Sequence, residues 1–109
     1  MLSITVKTQF EGFHRYIDAP EEVKFLSYPH RHIFYVEAEF EVDHNDRDLE
    51  FFIMKRKIDK IIKNYITIGN AGSCEMIAER IADKLQEFPL LKISVSEDNE
   101  NYATYYLNK

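Results

Sequence analysis

The chain has 109 residues, 45% of them hydrophobic and 14% aromatic, with only three Gly and three Pro, a composition that fits one globular domain spanning 1–109 with a core of its own. A single cysteine, Cys74, excludes an internal disulfide framework and a cysteine-rich zinc module, and a net charge of −5 argues against a phosphate backbone as partner. No apolar run approaches the ~18 residues of a membrane span, and no basic segment leads into an apolar one, so the expectation is a soluble, cytoplasmic protein without membrane or nucleic-acid partners.

The first eleven residues alternate. Leu2, Ile4, Val6, Thr8 and Phe10 share one parity, while Ser3, Thr5, Lys7, Gln9 and Glu11 share the other, which predicts a half-buried strand. From Gly12 to Pro29 the alternation stops, and Gly12, Pro20 and Pro29 punctuate what reads as a long loop carrying Phe13, Tyr16, Phe25 and Tyr28. A second alternating run follows, with Phe34, Val36, Ala38, Phe40 and Val42 on one face and Glu37, Glu39 and Glu41 opposite. Asp43 to Asp46 is a turn.

Leu49, Phe52, Ile53, Ile58, Ile61, Ile62 and Tyr65 follow helical spacing, with Lys55, Arg56, Lys57, Lys60 and Lys63 as a solvated face. After the connection Asn64 to Gly72, Ser73 is a good N-cap and Glu75 suits the dipole of a first turn. Ile77, Ile81, Leu85 and Phe88 mark a second amphipathic helix, which Pro89 ends. Strands at Leu91 to Ser96 and Tyr102 to Leu107 flank a polar turn at Asp98-Asn99. The order ββααββ predicts an α+β fold, with a four-stranded antiparallel sheet and both helices on its apolar face.

Strand parity then sorts the polar residues. His14 continues the inward parity of strand one, His30 and His32 share the inward parity of strand two, and Glu97 follows Leu91, Ile93 and Val95 on strand three. A lone His-x-His pair on a strand serves packing as readily as metal binding. A third histidine on the same face makes a metal centre with an open fourth position an equal reading. His44 sits in a polar turn and is expected at the surface.

These residues resemble the 6-pyruvoyltetrahydropterin synthase and 6-carboxytetrahydropterin synthase family. Phe10-Glu-Gly-Phe-His14 resembles its F-x-x-x-H element and His30-Arg-His32 its H-G-H element. Ser73-Cys-Glu75 at a helix start resembles P-T-x-E-N, and Ser96-Glu97 resembles the E-T element before the last strand. The resemblance covers nearly the whole chain and implies the tunnelling fold. It implies Zn2+ on His14, His30 and His32, with Glu97 holding a pterin ring and Glu75 beside the substrate. It further implies a homotrimer or homohexamer whose sheets close into a barrel, putting Lys7, Arg31, Glu37 and Glu39 on a polar lumen.

The departures concern the proton relay. The loop before His30 has no cysteine, so Glu21 or Glu22 is the available substitute, with a pKa raised by an apolar pocket around Phe13, Phe25 and Tyr28. The family's Asp-His pair is also missing; Asp59 comes nearest but reads more simply as the polar side of its helix. Cys74 lies in a different element, where its thiol is either somewhat acidic at a helix N-terminus or simply small and buried. Besides a structural or interaction domain whose histidines merely pack, two functions follow. One is a zinc-dependent lyase acting on dihydroneopterin triphosphate or a related pterin. The other is a pterin- or purine-binding protein that keeps the zinc triad without the relay.

Overall fold

A computed structural model describes residues 1–107. Strands β1 (Leu2–His14), β2 (His30–Val42), β3 (Leu90–Glu97) and β4 (Tyr102–Tyr106) form one sheet in the order β1-β2-β3-β4, with every neighbouring pair antiparallel. Helices α1 (Phe51–Tyr65) and α2 (Cys74–Asp83) lie between β2 and β3 in the chain and share one core with the sheet. This is the α+β arrangement that the alternation and helical spacing predict.

The core follows from periodicity. Phe34, Val36, Ala38 and Phe40 of β2 are fully buried, as are Ile58 of α1 and Ile77, Ala78 and Ile81 of α2. The opposite sheet face is polar and cross-linked: Lys7 reaches Glu37 at 3.8 Å, Lys92 reaches Glu39 at 3.8 Å and Ser3 donates to Glu39 at 2.7 Å.

Four expectations need correction. Strand β1 does not stop before Gly12 but runs to His14, so the loop begins later and contains a 3-10 segment at Glu21–Ser27. Gly12 is there for space: a Cβ would meet the Phe34 ring at 3.2 Å and the Phe10 ring at 3.3 Å. Helix α1 starts at Phe51, where the Glu50 side chain accepts from the N–H groups of Phe52 and Ile53. Met54, Ile58 and Ile62, spaced four apart, face inward, while Phe52 and Ile53 are exposed, against the face expected from their apolar character. In β3 the pairing passes from Glu39↔Lys92 to Phe40↔Leu90, a bulge at Leu91 that makes Leu90 the buried residue. Finally, α2 ends at Asp83, and the chain continues in turns that still bury Leu85 before Pro89.

Candidate metal centre

Three strands deliver the site. The β1–β2 register places His14 directly opposite His30 and Gly12 opposite His32, so the three imidazoles project from the helix-facing side at one end of the sheet. One ring nitrogen from each of His14, His30 and His32 lies within 4.8 Å of the other two. The rings meet edge to face, with centroids 4.6 Å apart for His14–His30 and 4.9 Å apart for His30–His32. Phe34 forms the floor, its ring 5.2 Å from that of His14.

The other nitrogen of each ring is committed. His14 Nδ1 donates to the Gly72 carbonyl at 2.8 Å, His30 Nδ1 donates to the Tyr28 carbonyl at 2.8 Å, and His32 Nδ1 donates to Asp98 Oδ2 at 2.7 Å. Carbonyl and carboxylate oxygens only accept, so Nδ1 carries the proton in each neutral ring and the lone pair stays on Nε2. The buried Nε2 of His32 has no hydrogen-bond partner among the described residues.

The Gly72 carbonyl reaches His14 through a local fold of the chain. The Ala71 N–H donates to the Phe13 carbonyl at 2.8 Å, pinning the segment before α2 onto the end of β1. Gly72 then turns with φ of +92°, a conformation that glycine adopts without strain, and Ser73 caps α2 by accepting from the Met76 N–H.

Glu97 faces the histidines from β3. Its Oε1 stands 3.2 Å from His14 Nε2 and its Oε2 stands 3.6 Å from His32 Nε2. Lone pairs on both sides of those gaps repel unless a proton or a metal ion lies between them. The donor set, the ordered Nδ1 partners and the orphaned His32 Nε2 therefore fit a divalent metal with nitrogen preference. Asp98 lies below the ordinary carboxylate range, first through the His32 hydrogen bond and then through the Ile33 N–H.

The remaining candidates are placed differently. Glu21 and Glu22 are exposed at the start of the 3-10 segment. Phe25 and Tyr28 are 70% and 71% exposed, so a single chain does not build the apolar pocket expected around those carboxylates. Glu75 is exposed in the first turn of α2. Asp59 lies on the exposed side of α1, as expected of a polar helix face, and its carboxylate accepts from Thr8 Oγ1. Thr8 lies six residues before His14 on β1, roughly 20 Å along an extended strand. Cys74 is buried beside Glu97, with Sγ 3.9 Å from Oε1. Burial first, then the charges of Glu97 and Glu75, push its pKa up to about 12, which outweighs the helix N-terminus and rules out the acidic thiol. Sequence reasoning missed Asp98 and the two carbonyls; the polar turn at Asp98-Asn99 was visible, but not what its side chain would meet.

No family model and no curated protein matches the chain. Among solved structures it is similar to 6-pyruvoyl tetrahydropterin synthase of Caenorhabditis elegans, at a TM-score of 0.69 and 14% identity over 98% of this chain and 96% of that one. It is also similar to an uncharacterized protein of Wolinella succinogenes, at a TM-score of 0.64 and 13% identity over 99% of this chain and all of that one. The chain therefore has the fold of 6-pyruvoyl tetrahydropterin synthase across almost its full length.

Proposed function

We propose that the protein is a zinc-dependent lyase of the 6-pyruvoyl- or 6-carboxytetrahydropterin synthase type, acting on dihydroneopterin triphosphate or a related pterin. The observation that carries this reading is the convergence of His14, His30 and His32 beside the Glu97 carboxylate. The histidines hold the ion through Nε2. Zinc bound there supplies Lewis acidity toward hydroxyl groups of the substrate side chain. Glu97 accepts hydrogen bonds from the amino and ring N–H groups of the pterin, which gives its partly buried charge a partner. Glu75, in the first turn of α2, is the second substrate-facing carboxylate. Glu21 or Glu22, in the loop bounded by His14 and His30, takes up the proton released when triphosphate leaves.

Assembly belongs to the same reading. Strands β1 and β4 are the free sheet edges. The cleft of about 720 Å³ beside β1 is lined by Lys7, Lys55 and Lys63 against one carboxylate, Asp59. The cleft of about 490 Å³ beside β4 carries Glu79 and Asp83 against Arg80. Edges of opposite charge suit head-to-tail pairing of copies into a closed trimer, or a hexamer made of two trimers. Such pairing would also supply walls around the exposed Phe25 and Tyr28.

A second reading is favoured by the exposure of Glu21 and Glu22 and by the tie between Asp59 and Thr8. On that reading the protein binds a pterin or purine-like ligand at the metal without converting it. Zinc-loaded protein incubated with dihydroneopterin triphosphate separates the two. Triphosphate release that falls in Glu21→Gln or Glu22→Gln identifies the lyase. Tight binding without release identifies the binder, and neither binding nor release removes both.

A further inference from the structure

The three histidines are not held alike. His14 and His30 give their Nδ1 protons to neutral backbone carbonyls, whereas His32 gives its own to a carboxylate. Asp98, which provides it, is docked on β2 through three contacts. Its Oδ2 accepts from His32 Nδ1 at 2.7 Å, its Oδ1 accepts from the Ile33 N–H at 3.0 Å, and its own N–H donates to the Ile33 carbonyl at 2.8 Å. Asp98 and Asn99 adopt φ of +53° and +61°, the left-handed region that most side chains avoid and that Asp and Asn tolerate best. That turn folds the residue after Glu97 back across the end of β2 instead of letting it continue along β3.

We infer that Asp98 is the positioning residue of the metal centre: it fixes the tautomer and orientation of His32 and raises that ring's donor strength above those of the other two. This rests on the metal reading above and goes beyond the three ligands themselves. A charged acceptor on Nδ1–H draws the proton outward and leaves more electron density on Nε2, where a neutral carbonyl does so weakly. The adjacent Glu97 faces the open side of the same centre. The dipeptide Glu97-Asp98 thus divides two tasks, with one carboxylate toward the ligand and the other behind His32.

Asp98→Asn removes the charge and tolerates the left-handed turn, and its single amide oxygen can keep one of the two acceptor contacts, to the Ile33 N–H or to His32 Nδ1. Zinc affinity would be measured on the full chain by competition with a chromophoric chelator, and Co(II) would report the ligand field through its visible bands. The expected result is a zinc affinity lower by about 10-fold in Asp98→Asn and toward 100-fold in Asp98→Ala. The Co(II) bands should shift in both variants, with metal-free Asp98→Asn still melting cooperatively, at a temperature lowered by the one acceptor it lacks. Asp98→Asn binding zinc within twofold of the parent, with the parent's Co(II) spectrum, would reduce Asp98 to a turn residue and overturn the inference. A parent protein that takes up neither metal, and behaves like His32→Ala, would instead overturn the metal reading together with everything built on it.

Discussion

His14 Nε2 stands 3.2 Å from Glu97 Oε1 while His14 Nδ1 gives its proton to the Gly72 carbonyl, so an imidazole lone pair points at a carboxylate oxygen. A cation between the two, whether a proton or a metal ion, relieves that repulsion. Glu97 brings β3 to this contact from a position opposite Phe34, the residue on which the imidazoles rest.

The two tasks at this carboxylate can be separated. Glu97→Gln keeps the size and one acceptor oxygen but removes the charge that pairs with ring N–H groups. Hydrogen bonds to a charged group are worth about 1.5–3 kcal/mol, or roughly 10- to 100-fold in affinity. The expected outcome is a fall of that size in pterin affinity by calorimetry, with one zinc still bound per chain by elemental analysis. Loss of zinc in Glu97→Gln would make the residue a metal ligand rather than a ring anchor.

Cys74 offers a test of the electrostatics behind the site. Its folded pKa, pushed up to about 12 from an ordinary thiol value of 9, means that the native state holds the proton where the unfolded chain has lost it. Stability from this group is therefore complete below pH 9 and declines as pH rises from 9 toward 12. The thiol should react with iodoacetamide at pH 8.5 at least 10-fold more slowly in the native protein than in guanidinium. Equal rates would show an accessible, ordinary thiol.

Much of this geometry was legible because strands have a period of two. Once His14, His30, His32 and Glu97 were assigned to inward parity, antiparallel pairing left one place for them to meet. Parity fails where the backbone departs from it. The bulge at Leu91 exchanged the burial of Leu91 and Leu90, and no apolar pattern distinguishes those two leucines. Phe52 and Ile53 are exposed because, though apolar, they lie off the Met54, Ile58 and Ile62 stripe that packs inward. Asp98 was illegible for a different reason: its partner His32 is 66 residues away, and contact depends on two successive left-handed residues. Cys74 stands at a helix N-terminus as expected, but its pKa is decided by burial against Glu97, which only packing reveals.

The unequal sheet edges would make the proposed assembly sensitive to charge. If copies pair through the lysine-lined flank of β1 and the acidic flank of β4, Lys55→Glu with Lys63→Glu places like charges across that contact. Sedimentation should then show the parent as a trimer or hexamer and the double variant shifted to monomer. The parent should also dissociate more readily at 0.5 M than at about 0.1 M salt, where screening reaches ~10 Å. A parent that sediments as a monomer at all concentrations would remove the ring, and with it the walls that the exposed loop aromatics lack.

Gly12 links the strand to the site in a way that can be measured against an internal control. It pairs with His32 across the sheet, and a Cβ there would stand 3.2 Å from the Phe34 ring and 3.3 Å from the Phe10 ring. Those rings stack at 5.2 Å between centroids, and Phe34 in turn supports both His14 and His32, so a displaced Phe34 moves the imidazoles. Gly12→Val should therefore cost about 1–3 kcal/mol of stability through overpacking. It should also weaken zinc binding, because the displaced floor tilts two of the three ligands. Gly69, by contrast, has nothing within 4 Å of an added Cβ, and Gly69→Ala should stay within about 0.5 kcal/mol of the parent with unchanged zinc affinity. Denaturant unfolding of metal-free protein gives the first quantity and chelator competition the second. A Gly12→Val protein that is destabilised but binds zinc like the parent would uncouple the aromatic floor from the metal centre.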